Sequence, residues 1–234
     1  MKIDVCYADL ITDKPIFEDA SKLRGYIGSI FREFTELHNH VLDKGYVYSY
    51  PKVQYKIIGG KAKIIGINEA AETVRKISSK IDKLSLGRSD YAVLAATVTQ
   101  KKIEFGWSPK MRRYRFLSPW LALNNANSAI YSDLISAQDH KGAKELVNRI
   151  LCGNILSMSK SLNYTVFKPI EAHTLLNEKV TKYKGVQMRA FLGEFRVNYF
   201  IPAFFGLGKG VSVGNGTIID NVPIHREQRR EAQD

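Results

Sequence analysis

Tyr46-Val47-Tyr48-Ser49-Tyr50-Pro51-Lys52-Val53-Gln54-Tyr55-Lys56-Ile57-Ile58-Gly59-Gly60-Lys61-Ala62-Lys63-Ile64-Ile65-Gly66-Ile67 holds two apolar-rich runs divided by a glycine pair. Two glycines between such runs mark a tight turn, so Tyr46–Ile58 and Lys61–Ile67 are expected to pair as a hairpin. On either side the apolar period lengthens. Upstream, Leu23, Tyr26, Ile27, Ile30, Phe31 and Phe34 recur at helical spacing, and Lys2–Leu10 before them forms a short strand. Downstream, Asn68 is placed to cap a second helix, with Glu69 and Glu72 near its positive end and Ala70, Val74, Ile77 and Ile81 as its buried stripe. Tyr91–Phe105 supplies one more strand. The order strand, helix, strand, strand, helix, strand is the ferredoxin-like pattern, which many RNA-binding modules share. A fold does not by itself carry a function.

The second half has a similar make-up. Gly106–Arg115 reads as a linker with a basic cluster of Lys110, Arg112, Arg113 and Arg115. A strand near Tyr114–Leu117 follows, then a polar, helix-compatible stretch. A helix is expected over Lys141–Leu162, with Leu146, Val147, Ile150, Leu151, Ile155 and Met158 apolar. Strands are expected at about Thr165–Leu175, Lys182–Leu192, Phe195–Phe205 and Thr217–Ile219. Two strand-rich halves of similar size predict an α+β chain of two tandem ferredoxin-like (RRM-like) domains, 1–110 and 111–234.

No stretch of the 234 residues approaches the roughly 20 consecutive apolar residues that span a bilayer. The start, Met1-Lys2-Ile3-Asp4-Val5, lacks a basic flank followed by an apolar run. The expectation is a soluble cytoplasmic protein with no membrane partner. Cys6 and Cys152 stand far apart, in no metal-ligand spacing, and read as small core residues. Lys plus Arg is 35 and Asp plus Glu 23, a net of 35 − 23 = +12. Such a surplus points to a polyanionic partner, because each cation set beside a phosphate releases a counterion.

Residues 206–216 read Gly206-Leu207-Gly208-Lys209-Gly210-Val211-Ser212-Val213-Gly214-Asn215-Gly216. Glycines admit positive φ and close approach, and exposed N–H groups beside a lysine can cradle phosphate. A phosphate-binding P-loop would need Ser or Thr after the lysine, at an early strand-to-helix turn, and Lys209 precedes Gly210. A dinucleotide fingerprint would open the first helix of a βαβ unit instead. A glycine-rich bulge or hairpin is the purely structural alternative.

The segment resembles the C-terminal glycine-rich loop of the RAMP superfamily, in particular the CRISPR-associated endoribonucleases that cut precursor CRISPR RNA (CRISPR-associated protein family six). Other stretches are similar to one branch of that family: Lys22-Leu23-Arg24-Gly25-Tyr26-Ile27-Gly28, Tyr50-Pro51 with Gln54-Tyr55-Lys56, Ile65-Gly66-Ile67-Asn68, Ser118-Pro119-Trp120-Leu121-Ala122-Leu123-Asn124 and Gly153-Asn154-Ile155-Leu156-Ser157. They span nearly the whole chain in order. Asn215 stands where many relatives carry a larger apolar or aromatic residue. The resemblance implies two ferredoxin-like domains side by side and CRISPR repeat RNA as partner. A homodimer and association with a CRISPR interference complex stay open.

The reaction that the resemblance implies is metal-independent and uses no cofactor. The 2′-hydroxyl attacks phosphorus, the 5′-oxygen leaves, and a 2′,3′-cyclic phosphate and a 5′-hydroxyl remain. It calls for a base, an acid and a cation on the phosphorane, and histidine suits the proton transfers. The resemblance places the catalytic histidine at His38 or His40. Residues two apart share a side of an extended chain but diverge by about 200° on a helix, so both act on one phosphate only if this stretch is not helical. Lys44 and Lys52 are candidates for the cation, and Tyr26 and Tyr46 for orienting the sugar or the leaving group. His140, His173 and His225 read as structural or surface residues. For RNA binding the candidates are Lys52; Gly208, Lys209 and Gly210 of the glycine-rich segment; Arg112, Arg113 and Arg115; and the run Lys179, Lys182, Lys184 and Arg189. Two other functions compete: a RAMP subunit that holds repeat RNA without cutting it, and a metal site on His38 and His40, which lack a clear third ligand.

Overall fold

A computed structural model of the chain describes residues 1–37 and 49–220. The N-terminal half runs β1 (Lys2–Thr12), α1 (Ala20–Ile30), β2 (Val53–Ile58), β3 (Lys61–Ile67), α2 (Glu69–Ser78), β4 (Lys83–Leu86) and β5 (Ser89–Glu104). Its sheet has the order β2-β3-β1-β5-β4, all antiparallel. The central order matches the ferredoxin-like pattern read from the sequence. β4 is an addition that hairpins onto β5 and was not expected. β2 is shorter than the expected strand, which would have begun at Tyr46, outside the described residues. Asn68 does hold the capping position of α2, but its φ is 53° and its side chain makes no capping hydrogen bond.

The C-terminal half runs β6 (Gly106–Phe116), α3 (Asn125–Ser136), α4 (His140–Ser161), β7 (Ala172–Tyr183), β8 (Val186–Phe200) and β9 (Ile218–Asp220). Its sheet order, β7-β8-β6-β9, repeats the N-terminal order of second, third, first and last strand. The glycine-rich segment occupies the place of a second crossover helix. Two expectations are corrected here. The basic stretch from Gly106 is a strand, not a linker, with its pairing to β8 irregular between Trp107 and Arg112. The three strands expected over 165–205 are one long hairpin. Its turn sits at Lys184 and Gly185, whose φ angles of 49° and 84° suit a type I′ turn.

The two faces of the N-terminal sheet bury against different partners. Cys6, Ala8, Leu10 and Ile64 face α1 and α2. Ile3, Val5, Tyr7, Ile65 and Ile67 face the other way and join the C-terminal core around Leu151, Ile155 and Tyr199. This alternation along β1 and β3 is the period-two pattern of a strand buried on both sides. It turns the domain boundary into apolar core and fixes the glycine-rich segment against the first domain. Cys6 is fully buried and Cys152 half-buried, as expected of core thiols. No helix of the described residues is long and apolar enough to cross a membrane.

Candidate nucleic-acid interface

The glycine-rich segment is held on three sides by residues far from it in sequence. Gln54, wholly buried on β2, accepts a hydrogen bond from the Gly206 N–H at 3.1 Å, and the Tyr50 hydroxyl donates to the Gly206 carbonyl at 2.9 Å. The Lys56 ammonium donates to the Val211 carbonyl at 3.2 Å, and Arg24 on α1 donates to the Ser212 hydroxyl at 3.0 Å. From the second domain, Ser118 donates to the Gly214 carbonyl at 2.6 Å, and the Trp120 indole, stacked on Phe116, donates to Asn154. Four of the five short sequences that carried the family resemblance therefore converge on one loop, while Gly66 packs instead against Ala70 and Val74 of α2. Buried polar groups need partners, and the buried Gln54 and Lys56 find theirs in the backbone of the segment.

Most of the segment's own amides are spent on bonds within it or to its neighbours. Leu207 N–H donates to Gly216, Lys209 to Leu121, Val213 and Asn215 to Gly210, Gly214 to Val211, and Gly216 to Pro119. The amides of Gly210, Val211 and Ser212, three in a row, take part in none of these bonds. Several of the glycines also answer to packing. At Gly208, with φ 81°, a Cβ would lie 2.7 Å from the Trp120 indole nitrogen and from the Leu121 carbonyl. At Gly216, with φ 61°, it would collide with the Leu207 carbonyl. Gly208 and Gly210 thus shape the loop, and Lys209 is its exposed side chain.

Between α1, the glycine-rich segment and the tip of the β7–β8 hairpin lies a cleft of about 1090 Å³. Arg24, Arg32, Lys182 and Lys184 line it, with Ser212, Val213, Gly214 and Asn215 as one wall and Leu37 at one end. Glu18 and Asp19 also line it, and Glu18 accepts a hydrogen bond from Tyr91. The cations outnumber the carboxylates, and a wide groove of this charge suits a sugar–phosphate chain. Lys209 is not among the lining residues.

The expected site residues distribute as follows. His38, His40, Lys44 and Tyr46 lie outside the described residues, as does His225. Lys182 and Lys184 line the cleft. Lys52 is ion-paired with Glu69 and does not line it. Arg112 stacks over Phe200 at 4.0 Å and lines a separate groove with Lys101 and Lys102. Arg113 and Arg115 are exposed on the face of β6 away from the core. Arg189 is tied to Glu178 at 2.8 Å and to Ser132 at 3.0 Å, so it braces the hairpin. Tyr26 packs against the N-terminal core. Sequence reasoning missed Arg24, Lys56 and Gln54. The signal available was Gln54 and Lys56 standing inside the apolar run of β2, where polar residues need an internal partner.

Lys56 is buried and has one hydrogen-bond acceptor, Val211. Burial alone pushes its ammonium down from an ordinary 10.5 to about 7. Between those values the unfolded chain binds the extra proton, so stability rises with pH across that window. The expected slope is about 1.4 kcal/mol per pH unit. Burial pushes the Cys6 thiol up from 9.0 to about 11, which opposes the trend above pH 9. Urea unfolding between roughly pH 7.5 and 8.5 isolates the lysine: the wild-type protein gains stability, and K56M loses the slope. Equal slopes would mean that Lys56 is not desolvated.

A protein of two ferredoxin-like domains, with a C-terminal glycine-rich segment clamped between them beside a basic cleft, is the class that this fold and site define. The chain matches the Cas6b N-terminal domain over residues 1–104 and the Cas6b C-terminal domain over residues 106–221, and it belongs to the Cas6b family. It is similar to a solved structure named Cas6b, at 34% identity over 94% of this chain and 100% of that one, with a TM-score of 0.83. It is also similar to a solved CRISPR RNA processing endoribonuclease Cas6b, at 31% identity over 94% and 100% of the two chains, with a TM-score of 0.75. An uncharacterized protein of Methanocaldococcus jannaschii is 44% identical over 145 residues, 62% of this chain and 96% of that relative.

Proposed function

We propose that the chain is an RNA endonuclease that binds precursor CRISPR RNA and cuts it within the repeats. The observation that carries this reading is the basic cleft, walled by a glycine-rich segment that the family's short sequences hold in place. Arg24, Lys182 and Lys184 hold the phosphate backbone in the cleft. His38 follows directly on Leu37, which lines the cleft, and Tyr50, beyond the same segment of chain, bonds Gly206. His38 and His40 serve as base and acid, with Tyr46 orienting the sugar or the leaving oxygen. The cation on the phosphorane is Lys44, because Lys52 would first have to leave Glu69. The 2′-hydroxyl attacks phosphorus as its proton passes to the base, the P–O5′ bond breaks as the acid protonates the leaving oxygen, and no metal takes part. The chain works alone or as a homodimer, and its product can pass to an interference complex.

The test is incubation with CRISPR repeat RNA in excess EDTA, followed by analysis of the product ends. The expected result is one cut per repeat, with a 2′,3′-cyclic phosphate and a 5′-hydroxyl. RNA left intact, yet bound, would make the chain a binding subunit. Cleavage restored only by added metal would overturn the metal-independent route.

A further inference from the structure

We propose that the open face of the C-terminal sheet, around Arg113, Arg196 and His173, is a second contact for the RNA backbone, distinct from the cleft. The inference rests on the RNA-cleaving reading above. Strand register sets Arg113 on β6 opposite Arg196 on β8, and Arg196 opposite His173 on β7. All three are exposed, whereas their strand neighbours Tyr114, Phe195 and Thr174 are buried in the core. The row therefore points into solvent from three adjacent strands. Directly opposed side chains have Cβ atoms about 5 Å apart, and like charges so placed repel.

No salt bridge among the described residues ties this row down. Glu194 lies in the next row, opposite Arg115, and Glu171 lies just before β7, yet neither forms an ion pair with Arg113, Arg115 or Arg196. Two facing arginines with an imidazole beside them make a ready anion site, since guanidinium forks match phosphate oxygens. The one ring in the two rows is the His173 imidazole. This face is therefore built chiefly to hold phosphates.

The same strand links this row to the cleft. β7 runs from Ala172 to Tyr183, and Tyr183 lines the cleft. From His173 to Tyr183 the strand covers about 33 Å at ~3.3 Å per residue. At the ~3.4 Å per step of a stacked helix that is roughly ten nucleotides, and fewer for an extended single strand. Only RNA that reaches this far from the cut touches both places.

The experiment compares wild-type protein with R113Q/R196Q and with R113K/R196K, on full repeat RNA and on RNA trimmed to about two nucleotides either side of the cut, too short to cross the ~33 Å between the two contacts even when extended. The Gln variant is expected to bind full repeat RNA about tenfold more weakly. Its slope of log affinity against log salt is expected to fall by about 1.4, for two single-strand phosphates. Its affinity for trimmed RNA and its cleavage rate at saturation stay at the wild-type level, and the Lys variant keeps the wild-type salt slope. Equal affinity and slope for all three proteins on full repeat RNA would overturn the second contact. A loss of equal size on both RNAs would also overturn it, since the face would then not be distinct from the cleft. Wild-type protein that binds full repeat RNA with this pattern but never cuts it leaves the contact standing and removes the enzyme.

Discussion

H38A/H40A protein is expected to leave repeat RNA uncut while still binding it with nearly wild-type affinity. A positioned proton-transfer group contributes about 10²- to 10⁴-fold to rate, so losing an acid and a base together takes cleavage beyond ordinary detection. Affinity is expected to survive because the substitutions leave in place the basic cleft lined by Arg24, Lys182 and Lys184. Single substitutions and the pH–rate profile divide the labour. If one histidine gives a proton and the other takes one, the profile is bell-shaped and each single variant loses one limb. If one histidine does both jobs through water, the other single variant keeps both limbs. Unchanged cleavage by the double variant would move the chemistry away from this segment. Lost binding would instead assign the histidines to holding RNA.

How much of this could be read in advance depends on whether a residue's signal is local. The Gly59–Gly60 hairpin was readable because turn chemistry and apolar runs agree there, and β2 and β3 pair across it in an unbroken register. β6 was not, since Pro109 to Arg113 are exposed and the ladder slips between Trp107 and Arg112, which leaves no alternation to see. The outer half of the β7–β8 hairpin failed for the same reason. Most of Asn177–Gln187 is exposed on both faces, so period two vanishes, and Gly193, with φ 136°, looks like a break although it sits inside β8. In the site, the short sequences could be recognised as fragments. Their joint purpose could not, because the bond between Gln54 and Gly206 spans most of the chain. The glycine-rich segment pointed to the right family for an incomplete physical reason: most of its amides tie it to itself and its neighbours, and the side chains of α1 and the hairpin carry the charge of the cleft.

Gly216→Ala is expected to destabilise the protein by about 3 kcal/mol or more, a large share of the 5–15 kcal/mol that holds a typical fold. Part of this is the backbone. A φ of 61° costs an L-residue about 1–2 kcal/mol. The rest is steric, because the new methyl collides with the Leu207 carbonyl, which belongs to the bridged backbone and cannot swing aside. Leu207 donates to Gly216 at 3.0 Å and Gly216 to Pro119 at 2.9 Å, so relief at one point loosens both bonds. Two other glycines separate the contributions. Gly185 also has positive φ, 84°, but its Cβ position is open, so G185A is expected to lose only about 1 kcal/mol. Gly153 lies within α4 with open space around it, so G153A is expected to gain about 1 kcal/mol. Urea midpoints at constant slope rank the three. The order G153A above wild type, G185A slightly below and G216A far below tests the packing argument, and G216A no worse than G185A would refute it. Because Arg24 and Lys56 grip the same loop, partly folded G216A protein is also expected to lose RNA affinity before it loses the N-terminal core.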